Sequence, residues 1–212
     1  MKLLREAIRS MILQEGMITP HELPPDIGIR VHFQFGGNRV YIHYCEIRPD
    51  GTLGASWAEQ RSKSPHGIYG RMKIDKLQGA ATCGGAWTVV FAEAASGYGP
   101  LLYDIALEIS TMYGSGLVSD RETVSMDAHD VWQFYLDHRT GDGGDVEVFQ
   151  CDDTKNTLTP DPSDNLDQEI PKMAYGYDGL DWVQHQLSKR YSKENVVYDA
   201  LDKDGKLFVE RD

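Results

Sequence analysis

The sequence predicts a mixed α+β chain of the α/β class, and two patterns carry that prediction. Residues 29–35 and 40–44 alternate strictly between apolar and polar side chains around Gly36-Gly37-Asn38, as a β-hairpin does. Further along, the apolar run 86–92 empties into Gly97-Tyr98-Gly99 and then a helical stretch, giving a strand, a glycine turn and a helix in succession.

With 212 residues and 41% hydrophobic side chains, the chain is long enough for one domain with a real core. Acidic residues outnumber basic ones, 33 to 21, for a net charge of −12. That balance excludes a nonspecific nucleic-acid binder, which needs Lys and Arg to neutralise phosphates, and it suits a basic partner surface. Three cysteines, Cys45, Cys83 and Cys151, form neither a disulfide framework nor a Cys-x-x-Cys zinc pair, which points to a reducing cytoplasm. Lys2, Arg5, Glu6 and Arg9 interrupt any leader-like apolar run, and no later run approaches the ~20 residues of a membrane span. A soluble protein with no membrane partner is expected.

Residues 1–16 hold an amphipathic helix, with Leu4, Ala7, Ile8, Met11 and Ile12 on one stripe. It either packs on the chain's own core or docks on a protein partner. Pro20, Pro24 and Pro25 mark 17–27 as a linker, and 28–212 form the main domain. In the hairpin, a two-residue loop at Gly37-Asn38 pairs Phe35 with Val40, Phe33 with Ile42 and Val31 with Tyr44. The other face then carries Arg30, His32, Gln34, Arg39, Tyr41, His43 and Cys45, where facing histidines suit either a solvated strand or a metal. Residues 53–60 suggest a third strand and 72–77 a short strand or a turn. Gly114 and Gly116 stop the helix begun after the turn, residues 117–118 form a short strand, and Ser125 caps a helix to about 138. Residues 145–150 read as a strand and 151–172 as an acidic, proline-bearing excursion without the spacing of a calcium loop. Residues 178–191 read as a helix, and 196–201 with 207–210 as a final strand pair.

The glycine turn carries the most chemistry. Glycine at 97 and 99 lets the backbone approach a ligand, Pro100 fits a first helical position, and the helix from Leu101 to about 112 aims free N–H groups and its positive dipole end at the turn. The turn lacks the Gly-Lys-Ser/Thr ending of a P-loop and the third glycine of a dinucleotide fingerprint. It is either a phosphate cradle without a basic residue or a tight reversal between strand and helix.

Over residues 86–139 the order strand, glycine turn, helix, short strand, Ser/Asp-rich loop and second helix is similar to the core of the GCN5-related N-acetyltransferase (GNAT) superfamily. The family's Gln/Arg-x-x-Gly-x-Gly/Ala segment matches Ala94-Ala95-Ser96-Gly97-Tyr98-Gly99. Gly97 to Asp104, with Gly116 to Arg121, Val124, Ser125, Val131 and Trp132, looks more particularly like GNAT-like proteins of tailed bacteriophages. The resemblance implies a central, mostly antiparallel sheet with helices on both faces and acetyl-coenzyme A as cofactor. It also implies a pyrophosphate site made by Ala94, Ser96, Gly97, Tyr98, Gly99 and Leu101. Tyr135 corresponds to the family's proton donor to the departing thiolate, and Glu93 stands where a general base acts directly or through water. The chain departs from the family at Ala94, where Gln or Arg is usual, and in having no helices between its first two strands. Two functions follow: acetyl transfer to an amine, or a catalytically inactive relative serving as a binding or virion component.

Overall fold

A computed structural model of the chain describes residues 18–54, 69–77, 85–120, 124–150 and 186–212. Eight strands share one sheet: β1 (Ile27–Gln34), β2 (Arg39–Glu46), β3 (Gly70–Lys76), β4 (Trp87–Ala94), β5 (Leu117–Val118), β6 (Val146–Gln150), β7 (Lys189–Lys193) and β8 (Leu207–Arg211). Their order is β6-β7-β5-β4-β3-β2-β1-β8. Among the described residues three α-helices accompany them: α1 (Gly99–Met112), α2 (Met126–Phe134) and α3 (Val197–Lys203).

This corrects the expected fold. The sheet is mixed, because β8 lies parallel to β1 and β5 parallel to β4, while β1 with β2, β5 with β7 and β6 with β7 are antiparallel. Strands dominate the described residues, and a GNAT-like antiparallel sheet with helices on both faces is not what forms. The N-terminal amphipathic helix, the 151–172 excursion and most of the predicted third strand lie outside the described residues.

The chain divides into two compact units, the first holding residues up to 73 with 92–106 and 195–212. Its core face is the one the alternation predicts: Ile29, Val31, Phe33, Val40, Ile42 and Tyr44 are all buried. The register differs from expectation by two residues, since Val40 stands opposite Phe33 and Ile42 opposite Val31. A wider turn accounts for it, with positive φ at Phe35 (53°), Gly36 (65°) and Gly37 (84°). A slip of two leaves every side chain on its original face, so the pattern alone does not distinguish the registers. Residues 197–203 are helical, not a strand. Tyr198-Asp199-Ala200-Leu201 buries Leu201, and the left-handed Gly205 (φ 67°) ends the segment before β8.

On the opposite face, Arg30 Nη2 donates to both carboxylate oxygens of Glu210 at 2.6 Å, and His32 contacts Asp212 at 2.8 Å. Arg30 is paired with His43 and Tyr41 with His32, so the two histidines are not direct partners. Burial, then the positive charge of Arg30, lowers the His43 pKa to about 4, with Glu210 opposing and His32 adding to the fall. Below pH 6.5 the unfolded chain binds a proton at this site that the folded chain refuses, so stability is complete above that pH and drains towards pH 4. At 1.36 kcal/mol per pKa unit the loss by pH 4.5 is roughly 2.5 kcal/mol. Unfolding free energies from urea titration at pH 7 and 4.5 are therefore expected to differ by that much less in His43→Gln than in the unaltered protein.

The second unit holds 74–91 and 107–194. Trp87 and Thr88 of β4 pair with Leu117 and Val118 of β5, and Leu117 pairs onward with Tyr191 of β7. The helix expected over 178–191 fails where it is described: 186–188 make one 3-10 turn and 189–193 a strand whose Tyr191 is fully buried. Ser125 caps α2 as its sequence suggests, accepting from the Ala128 N–H at 3.2 Å, and the helix widens into a π-turn at Tyr135–Arg139. Beneath these elements Lys193 is ion-paired with Glu108, the two side chains being 2% and 0% exposed. No helix among the described residues is long and apolar enough to cross a membrane.

Candidate functional site

β4 leaves the sheet interior along its own length. Trp87 and Val89 are buried, whereas Ala92, Glu93 and Ala94 are exposed, and the chain then turns through Ala95-Ser96-Gly97-Tyr98 into α1. The Tyr98 N–H donates to Ala95 O at 3.0 Å, closing the turn, and Gly97 takes φ 84°. A side chain at 97 would be strained in that conformation, which is why the position needs glycine. Helix α1 starts at Gly99, earlier than expected, so the Gly99 and Leu101 N–H groups belong to a first turn with no intrahelical acceptor.

The turn's carbonyls are held from behind. Gly97 O accepts from the Ile18 N–H at 3.2 Å and Tyr98 O from the Tyr44 hydroxyl at 2.7 Å. A trans peptide directs its N–H opposite to its C=O, so the Tyr44 bond turns the Gly99 N–H away from the tyrosine. Tyr44 is 1% exposed, and burial followed by the nearby Tyr98 raises its pKa, keeping the hydroxyl protonated as a donor. Its ring meets Tyr98 edge-on at 5.3 Å, and Tyr69 packs on Tyr98 at 4.7 Å. The Ala95 N–H donates to Tyr69 O at 2.9 Å, which fixes the entry to the turn.

Of the residues singled out from the sequence, Glu93, Ala94, Ser96, Gly97, Tyr98, Gly99 and Leu101 all belong to the first unit. Glu93 Oε1 accepts from Arg71 Nε at 2.7 Å, a partner on the neighbouring strand. Leu101 is buried, whereas Ala94 and Ser96 are exposed. Tyr135 belongs to the second unit, 1% exposed, in contact with Trp132, Phe134 and Tyr191 and with the Arg139 guanidinium 5.2 Å from its ring centre. Among the described residues no group of three or more His, Cys, Asp or Glu is arranged to hold a metal ion.

Sequence reasoning missed Ile18, Tyr44, Tyr69 and Arg71. Tyr44 carried one signal, its place on the apolar face of β2. Its contact lies 54 residues away at Tyr98, a separation no local pattern encodes. Compared with protein-family models, curated proteins and solved structures, the chain matches none.

Proposed function

We propose that this chain binds acetyl-coenzyme A at the turn after β4 and transfers its acetyl group to an amine. The observation that supports this most is the end of β4. Its ladder with β5 stops at Thr88, yet the strand runs on through Ala94 into a turn whose carbonyls are tied back and whose Gly99 and Leu101 amides meet no acceptor among the described residues. Backbone amides at a helix entry favour a pyrophosphate even without a basic side chain, so Ala94 in place of Gln or Arg is tolerable. The sequence likeness of residues 86–139 to GNAT enzymes supports the same choice of cofactor.

In this reading the main-chain N–H groups of Gly97, Gly99 and Leu101 hold the pyrophosphate, while the Tyr98 N–H, bonded to Ala95 O, only shapes the turn between them. Amides near Ala94 and Ser96 polarise the thioester carbonyl. Glu93 removes a proton from the attacking amine, the C–S bond breaks as the C–N bond forms, and the departing thiolate takes up a proton, the role that the family resemblance gives to Tyr135. The reading makes the protein cytoplasmic, within a host cell if it is phage-encoded, and leaves residues 1–16 as the segment for a protein partner.

The test is release of free thiol from acetyl-coenzyme A in the presence of primary amines. Tyr135→Phe is expected to lower kcat at least about tenfold with KM for the cofactor little changed, since a proton donor acts in the transition state. Equal turnover in the two proteins removes Tyr135 from the mechanism.

A second reading, binding without transfer as a catalytically inactive binding or virion component, is favoured by the engagement of both candidate catalytic groups. Arg71 holds Glu93, and Tyr135 is enclosed by aromatic rings. Cofactor binding with no thiol release under any amine is its expected signature.

A further inference from the structure

The sheet ends at β8, and that strand has the chemistry of a self-pairing edge. Ile29 N–H donates to Lys206 O at 2.7 Å, and Asp212 N–H donates to Phe33 O at 3.2 Å. With the register Ile29 to Leu207 and Val31 to Val209, these bonds fix which peptide groups of β8 face β1: those of Phe208 and Glu210. The N–H and C=O groups of Leu207 and Val209 therefore point outward, where they meet no hydrogen-bond partner among the described residues.

Natural edges are commonly blunted by proline, a bulge or an inward-facing charge. β8 has none of these at its centre. Val209 instead exposes 41% of its surface on the face where its ladder partner Val31 is fully buried. Charge also favours a like partner. Segment 206–212 carries Lys206 and Arg211 against Glu210 and Asp212 and is neutral, in a chain of net charge −12. Glu210 and Asp212 are moreover engaged by Arg30 and His32 of the same chain.

We propose that β8 pairs antiparallel with β8 of a second copy of this chain, about a two-fold axis at Val209. In that register Val209 faces Val209 of the other copy as a hydrogen-bonded pair, each donating to and accepting from the other. Leu207 faces Arg211, Phe208 faces Glu210, and Lys206 faces Asp212, so opposite charges meet at both ends. A register shifted by one residue would set outward peptide groups against inward ones and lose the bonds. The interface is isologous and closes on itself, which limits assembly to a dimer. The reading is independent of any cofactor.

Sedimentation equilibrium of the full chain is the test. A dimer of twice the chain mass is expected at roughly 10–100 μM, the range of a small, partly polar interface. Two variants separate edge pairing from any other contact. Val209→Pro removes the outward N–H at the axis, and Val209→Lys places two like charges there. Each is expected to weaken the dimer at least about tenfold, with thermal unfolding of the monomer retained. A monomeric unaltered chain throughout that range overturns the proposal, as does a dimer unaffected by the variant that remains folded.

Discussion

Glu108→Ala is expected to lower the unfolding free energy by about 3–5 kcal/mol, the cost of stranding a charge where water cannot reach it. Glu108 lies on α1 within the buried stretch Leu101 to Ser110, and Lys193 is the last residue of β7. The ammonium would be left with Asp145 at 3.9 Å, a carboxylate already engaged by Arg139 at 2.5–2.6 Å and half-exposed. Asp145 is a poor substitute at that distance and in that solvent. The loss is read from urea or thermal unfolding, where it corresponds to about 10 °C for a chain of this size. Removing both charges, with Glu108→Leu and Lys193→Met, is expected to restore most of the stability, since two apolar groups in the same volume carry no desolvation cost. A loss below about 1 kcal/mol in the single variant would mean that the pair is hydrated in solution.

Gly97→Val is expected to weaken acetyl-coenzyme A binding about 100-fold, close to 3 kcal/mol. Valine is branched at Cβ and rarely accepts the φ of 84° found at this position. The peptides on either side must rotate, which breaks the Ile18 bond to Gly97 O and carries the Gly99 amide off its line. Each charge-assisted bond lost costs about 1.5–3 kcal/mol, so misaiming one or two amides accounts for the effect. Equilibrium dialysis of the cofactor measures it, and unchanged urea midpoints separate a local change from unfolding. Equal affinity in the two proteins would move the site away from the turn.

The parts of the fold legible in sequence are those fixed by short-range pattern. The β1–β2 faces follow from alternation, β5 from two apolar residues after Gly116, and the start of α2 from the Ser125 hydroxyl. The parts not legible depend on partners far along the chain. Leu207 to Arg211 becomes a parallel neighbour of β1, 178 residues from its register partner, and a local window contains nothing of Ile29. Lys189 to Lys193 becomes a strand because Leu117 and Val148 pair with Tyr191, against a spacing of Leu180, Val183 and Leu187 that suggests a helix. The glycine turn itself was readable from Gly97 and Gly99. The Tyr44 hydroxyl that aims it was not, because a buried tyrosine on an apolar face looks the same whether or not its oxygen has work to do.

Titration calorimetry of acetyl-coenzyme A into the unaltered chain tests the central claim most directly. Micromolar binding is expected, with a heat signal lost in Gly97→Val and competed by inorganic pyrophosphate. No heat at millimolar cofactor would contradict the claim, leaving the turn after β4 as a structural reversal between a strand and a helix.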